Sequence, residues 1–218
     1  MRTARGISWC LVLSLCGIGI AGYLTFIHLG LLRGELLGGA VCSGSGVLNC
    51  HAVTEGSWGS LLGMPLSLWG LLGYLAVFAL SLLGRQSSDW ADHALTLICA
   101  SALLFIAVDL ILFAIMAFVI RFYCLFCLLT YVVNLALLVV SVWGGGRSLM
   151  KTIGRVGIAL GQLAPSPARP AAALFWGVLF AGALGTVAVH ASTRFVTQGN
   201  LGSVRKQMRE FVTKQPRV

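Results

Sequence analysis

Charge is what this sequence has least of. Asp, Glu, Lys and Arg make up 10% of its 218 residues, whereas a soluble domain carries roughly a quarter. That scarcity excludes an ordinary soluble domain. Other absences narrow the reading further. No small-x-small cleavage site follows Met1-Arg2-Thr3-Ala4-Arg5 and its long apolar run, so the N-terminus reads as a first transmembrane helix and not as a signal peptide. Leu13-Ser14-Leu15-Cys16 has Leu15 where a lipoprotein cleavage box needs a small residue, which argues against lipidation. The spacing of the cysteines with His28 and His51 matches no closed zinc pattern. Neither a metal nor a nucleic-acid partner is expected.

Apolar length is abundant instead, with hydrophobic residues at 58%. Crossing a hydrocarbon core of ~30 Å takes ~20 apolar residues, and runs of that order lie near 8–30, 66–84, 94–119, 124–143 and 171–190. Five helical spans are expected, in an all-α membrane protein. With the N-terminus in the cytosol, Arg2, Arg5, Arg85, Arg147, Lys151, Arg155 and Arg169 lie inside, and the first four spans leave only Arg33 and Arg121 outside. Such a distribution satisfies the positive-inside rule. It also sets the 33–65 loop and the start of the fourth span on one outer side, where disulfides persist.

Four cysteines share that side. Cys124 and Cys127 stand one helical turn apart in Tyr123-Cys124-Leu125-Phe126-Cys127, a spacing that suits a disulfide able to open and close. Placed at a helix N-terminus, such a pair is expected to have a lowered pKa at its first thiol. The second pair, Cys42 and Cys50, flanks a Gly- and Ser-rich connection that lets the two sulfurs meet and part. Trp58 follows at the membrane interface, then Gly63-Met64-Pro65 and Gly70-x-x-x-Tyr74, which read as a turn or surface helix leading into the second span.

These residues together resemble the vitamin K epoxide reductases and their bacterial homologues. The resemblance covers residues ~8–143 and rests on Cys42-x7-Cys50, Trp58, Gly63-x-Pro65 and Cys124-x2-Cys127-x3-Tyr131-x2-Asn134. It implies a four-helix transmembrane bundle around a quinone, whether ubiquinone, menaquinone or phylloquinone, with the fifth helix added to it. It also implies an electron path. Cys42 would meet a thioredoxin-like partner, Cys50 would form the shuttle disulfide with Cys124, and Cys127 would contact the quinone ring. Exchange of this kind needs a thiolate and an accessible sulfur. The direction expected is thiol to quinone, supporting disulfide formation from a bacterial inner membrane; reduction of vitamin K epoxide on the same residues is the alternative. A non-enzymatic membrane scaffold stapled by structural disulfides is the alternative of another class.

Other residues carry two readings each. The family often has a serine five or six positions after the second loop cysteine; here Glu55 and Gly56 stand there, with Ser57 just beyond as a substitute. Tyr131, one turn after Cys127, can donate to a quinone carbonyl, whereas Asn134 is read as interhelical glue. Arg121 either favours a thiolate or quinone anion or snorkels to the interface. Asp109 is costly in mid-bilayer, at about 2.5–3.5 kcal/mol. It is expected to make a structural hydrogen bond, because fifteen residues at ~1.5 Å each put it ~22 Å from the cysteines. Cys10, Cys16 and Cys99 are expected to be packing residues.

The expected organisation is a catalytic core over 1–143, a cytosolic linker over 144–170, a fifth span over 171–190 and a basic tail over 191–218. Val204, Met208, Phe211 and Val212 give the tail an apolar face at helical spacing, as in a helix lying on membrane lipid. Too short for a thioredoxin-like domain and without cysteine, the tail is expected to dock such a partner in trans or to mark the loss of one.

Overall fold

The computed structural model describes residues 2–32, 49–50, 53, 57–61, 64–86, 88–164, 172–173, 175–189 and 191. Cys42, His51, Glu55, Gly56, Gly63 and the tail beyond residue 191 lie outside the described residues. Four long helices form the frame: α1 over Arg2–Leu32, α2 over Leu66–Gly84, α3 over Ser88–Ala114 and α4 over Leu125–Gly145. Each is long and apolar enough to cross a membrane. In hydrocarbon every backbone N–H and C=O must be paired within the segment, which makes a helix the only form these runs of Leu, Ala, Val and Ile can take. Leu110, Val132 and Phe118 stay exposed on the outside of the bundle, where lipid and not water is the neighbour.

Packing follows chain order around a ring. α1 lies against α2 and α4, and α3 against α2 and α4. Small residues set the spacing: a Cβ on Gly6 would stand 2.8 Å from the Cα of Gly144, so α1 and α4 touch backbone to backbone at this end, as small residues permit in membranes. Below that contact Ile7, Leu83, Leu95 and Ile98 fill the core. The same end carries a polar clamp. Arg147 donates through both terminal nitrogens to the two carboxylate oxygens of Asp92 at 2.6 Å, and Arg155 approaches the same carboxylate at 3.3 Å. That bidentate bond holds the Arg147 pKa above its usual value. Arg2 stacks over Trp143 at 5.3 Å from the ring centroid.

Short elements complete the chain. A 3-10 turn over Ser57–Gly59 leads into strands β1 over Ser60–Leu61 and β2 over Met64–Pro65. They pair antiparallel, Ser60 opposite Pro65 and Leu61 opposite Met64. Pro65 then heads α2, a place where a missing N–H costs nothing. Beyond α4, whose end is marked by Gly146 at φ 63°, come α5 over Leu149–Ile153 and α6 over Val156–Gln162. The segment expected to be a fifth span forms a shorter apolar helix, α7, over Phe175–Val189. It leans on the bundle, with Gly182 against Leu72 and Leu75 of α2 and the Trp176 indole donating to the Leu163 carbonyl at 2.7 Å.

Candidate active site

The helix ends opposite the clamp hold the cysteines. α3 does not stop at Ala114 but runs on through a π-helical turn over Ile115–Ile120, closed by Arg121 donating its N–H to the Met116 carbonyl at 2.8 Å. Arg121 takes φ 60° there, a left-handed conformation that costs a non-glycine residue roughly 1–2 kcal/mol. The sharp turn sends the chain straight to Tyr123 and Cys124. Asn49 then donates its amide to the Tyr123 carbonyl at 3.0 Å, drawing the loop segment onto the head of α4.

Three thiols meet as a result. Cys50 and Cys124 are buried with Leu24, Ile27 and Met116, and the Cys124 thiol is hydrogen-bonded to the thiols of both Cys50 and Cys127. Cys124 caps α4, its sulfur accepting the Cys127 amide at 3.3 Å. The expectation of a lowered first thiol is corrected here. The bond with Cys127 pushes the Cys124 thiol up to about 12, burial adds to it, and the bond from Cys50 opposes it. A single helix amide is outweighed where the neighbours are themselves thiols and water is excluded.

Cys127 opens onto a cavity of about 440 Å³, within the usual range for a small-molecule site. Its walls come from all four helices and from Trp58 and Gly59 in the short turn. Tyr131, one turn along α4, also lines it. The Tyr131 hydroxyl is buried and has no hydrogen-bond partner among the described residues, and its ring meets Phe113 edge-on at 6.5 Å. One turn deeper, Asn134 accepts from the Tyr74 hydroxyl at 2.7 Å and donates to Asp109 at 2.8 Å. Gly17 makes this possible, because a Cβ there would overlap the Tyr74 ring.

A model of the vitamin K epoxide reductase family matches residues 8–142. The chain belongs to the vitamin K epoxide reductase family. Membership carries membrane oxidoreductase chemistry between thiols and quinones. No curated protein matches the chain. In this vitamin K epoxide reductase relative the residues present fit a quinone: an apolar cavity, a thiol in its wall and an orphaned hydroxyl that a carbonyl oxygen would satisfy.

Of the residues singled out by sequence, Cys50, Cys124, Cys127 and Tyr131 come together at the mouth of the family cavity. Cys42 lies outside the described residues. Ser57 stands in the 3-10 turn whose next two residues line the cavity. Arg121 is exposed and lines no part of it; its visible work is to turn the backbone. Cys10 and Cys99 are buried packing residues, but Cys16 is exposed on the outer surface of α1, since positions 10 and 16 fall on different sides of a 3.6-residue helix.

Sequence reasoning missed two cavity residues of this family member. Tyr74 was visible only as the end of a Gly70-x-x-x-Tyr74 pattern, and Asp109 was set too far away. The ~22 Å counted along the chain ignores that α3 and α4 run antiparallel. Asp109 sits opposite Asn134, seven residues from Cys127 and so ~10 Å along α4. The expected structural hydrogen bond of Asp109 is there, made to Asn134.

Proposed function

We propose that this protein is a thiol:quinone oxidoreductase that carries electrons from a thioredoxin-like periplasmic partner to a membrane quinone and so supports disulfide formation. The observation that carries the reading is the contiguity of Cys50, Cys124 and Cys127 with the cavity wall. Cys42 takes the partner's electrons and passes them to Cys50. The Cys50–Cys124 disulfide is the shuttle, and Cys124–Cys127 is the pair that faces the acceptor.

Each transfer is a thiolate attack on a disulfide sulfur. Cys124 is shielded from water and holds its proton at neutral pH, so it reacts only when a neighbouring sulfur is in place. Such gating protects the relay from stray oxidants. Tyr131 orients the acceptor by donating to one carbonyl, and Trp58 closes the cavity at the interface. A quinone there, whether ubiquinone, menaquinone or phylloquinone, supplies a two-electron sink.

The catalytic core spans residues 1–143, followed by a cytosolic linker over 144–170, a fifth membrane helix over 171–190 and an outer amphipathic tail over 191–218. The protein lies in a bacterial inner membrane with a cytosolic N-terminus and periplasmic redox cysteines. Anaerobic incubation of the purified protein with a reduced thioredoxin-like protein and added ubiquinone or menaquinone tests both activity and direction. Quinol formation supports the reading. Disulfides that resist mild reductant, with no quinol formed, overturn it in favour of a stapled scaffold.

A further inference from the structure

Asp109 is the one carboxyl group among the described residues that line the cavity. Its surroundings are unusual for a charge. The other titratable side chains facing the cavity are Tyr74 on α2, Tyr131 and Cys127 on α4 and His28 on α1, and no Lys or Arg lines it. An unpaired carboxylate in the bilayer core costs about 2.5–3.5 kcal/mol on insertion scales, so this setting favours the protonated carboxyl far more than water does. One oxygen, Oδ2, is pinned by Asn134, which is itself pinned by Tyr74. The other, Oδ1, makes no hydrogen bond among the described residues.

The depth of the group matters. Tyr131 and Asn134 lie three residues apart on α4, and Phe113 and Asp109 four apart on α3, with the Phe113 ring against Tyr131 and Asp109 against Asn134. Two polar groups therefore stand at successive depths of the cavity wall, about one helical turn of backbone apart, ~5.4 Å, the hydroxyl nearer the thiols and the carboxyl deeper.

We propose that Asp109 is a catalytic proton donor to the deeper carbonyl of the acceptor, while Tyr131 serves the nearer one. The inference rests on the thiol:quinone reading and adds to it where the second proton comes from. Cys124 and Cys127 lose two S–H bonds and two electrons as one S–S bond forms, and the acceptor's two C=O groups become two C–OH groups. One thiol proton goes to the nearer carbonyl by way of Tyr131. The deeper carbonyl takes the proton of Asp109, and the second thiol proton restores it. Hydrogen bonding from Tyr74 through Asn134 fixes the carboxyl for that transfer.

The test uses the full chain in lipid nanodiscs, with dithiothreitol as donor and decylubiquinone as acceptor. Asp109→Asn keeps the shape and the contact with Asn134. It should lower kcat about a hundredfold, in the range that general acids supply, while the dissociation constant from tryptophan quenching by decylubiquinone stays within about threefold. The wild-type kcat should fall at alkaline pH as the donor loses its proton, and this limb should vanish in Asp109→Asn but persist in His28→Gln. Asp109→Glu should recover part of the rate. Binding of decylubiquinone should also shift a protonated-carboxyl infrared band that Asp109→Asn lacks. Wild-type kcat in Asp109→Asn, or a lowered kcat with the alkaline limb intact, overturns the proton-donor role alone. A wild-type protein that forms no quinol overturns the thiol:quinone reading and this one with it.

Discussion

Asn49 donates its amide to the carbonyl of Tyr123 at 3.0 Å, and this one backbone bond seats Cys50 beside Cys124. Neither residue carries redox chemistry. The bond joins a loop to a helix cap across more than seventy positions of chain, and it decides which sulfurs can meet. The relay depends on where these sulfurs sit, so its tests are made sulfur by sulfur.

Cys127→Ser is expected to abolish quinone reduction with any donor, because the cavity wall loses its only thiol among the described residues. Cys42→Ser should spare the reaction driven by dithiothreitol and stop turnover with a protein donor. Stopped-flow absorbance of quinone gives both results. Wild-type turnover in Cys127→Ser would falsify the assignment.

Alkylation of Cys124 should be slow at neutral pH. Its thiol is held near 12, first by the bond with Cys127, and thiolate is the reacting form, so labelling should rise about tenfold for each pH unit across the alkaline range. Removing the principal cause shifts the curve: in Cys127→Ser the same labelling rate should be reached at lower pH. Mass spectrometry of N-ethylmaleimide adducts in detergent reads this directly, and an unshifted curve contradicts it.

Impermeant maleimide on reduced intact cells should label Cys42 or Cys50 and leave Cys10, Cys16 and Cys99 unmodified. Cys16 makes this demanding, since it is exposed on the bundle but faces lipid. A reporter fused after Val218 should be active only in the periplasm if the chain crosses a fifth time. Loop labelling that appears only in broken cells inverts the topology.

Gly6→Ala should destabilise the bundle by about 1–3 kcal/mol, the usual cost of overpacking, because the new Cβ would stand 2.8 Å from the Gly144 backbone. Gly19→Ala, in the same helix with nothing within 4 Å, should be neutral or gain up to about 1 kcal/mol. Thermal unfolding in detergent compares the two. Equal melting temperatures would remove the close contact from the account of stability.

Hydropathy made the four long helices legible, since a bilayer leaves a run of Leu and Val no other structure. Cysteine spacing made Cys50, Cys124, Cys127 and Tyr131 legible as a group. What stayed hidden depended on geometry between helices. Asp109 looked remote because distance was counted along one chain and not across the α3–α4 interface. The buried state of Cys124 could not be read from its place at a helix start, where the amide that lowers a thiol is local but the burial that adds to the raising effect of Cys127 comes with folding. Arg121 gave no sign of a left-handed turn, because Arg is an ordinary residue there only when a helix must end abruptly.

The Asp92–Arg147 clamp, the Gly6–Gly144 contact and the stacking of Arg2 on Trp143 all lie at one end of the bundle. There the helices are joined by a seam of backbone and a two-pronged ion pair, whereas around the cavity they are joined through the tips of side chains, Tyr74 to Asn134 and Asn134 to Asp109. Side-chain tips can swing while a backbone seam cannot, so guests of differing girth are expected to be accommodated at the cavity end with the other end holding its register.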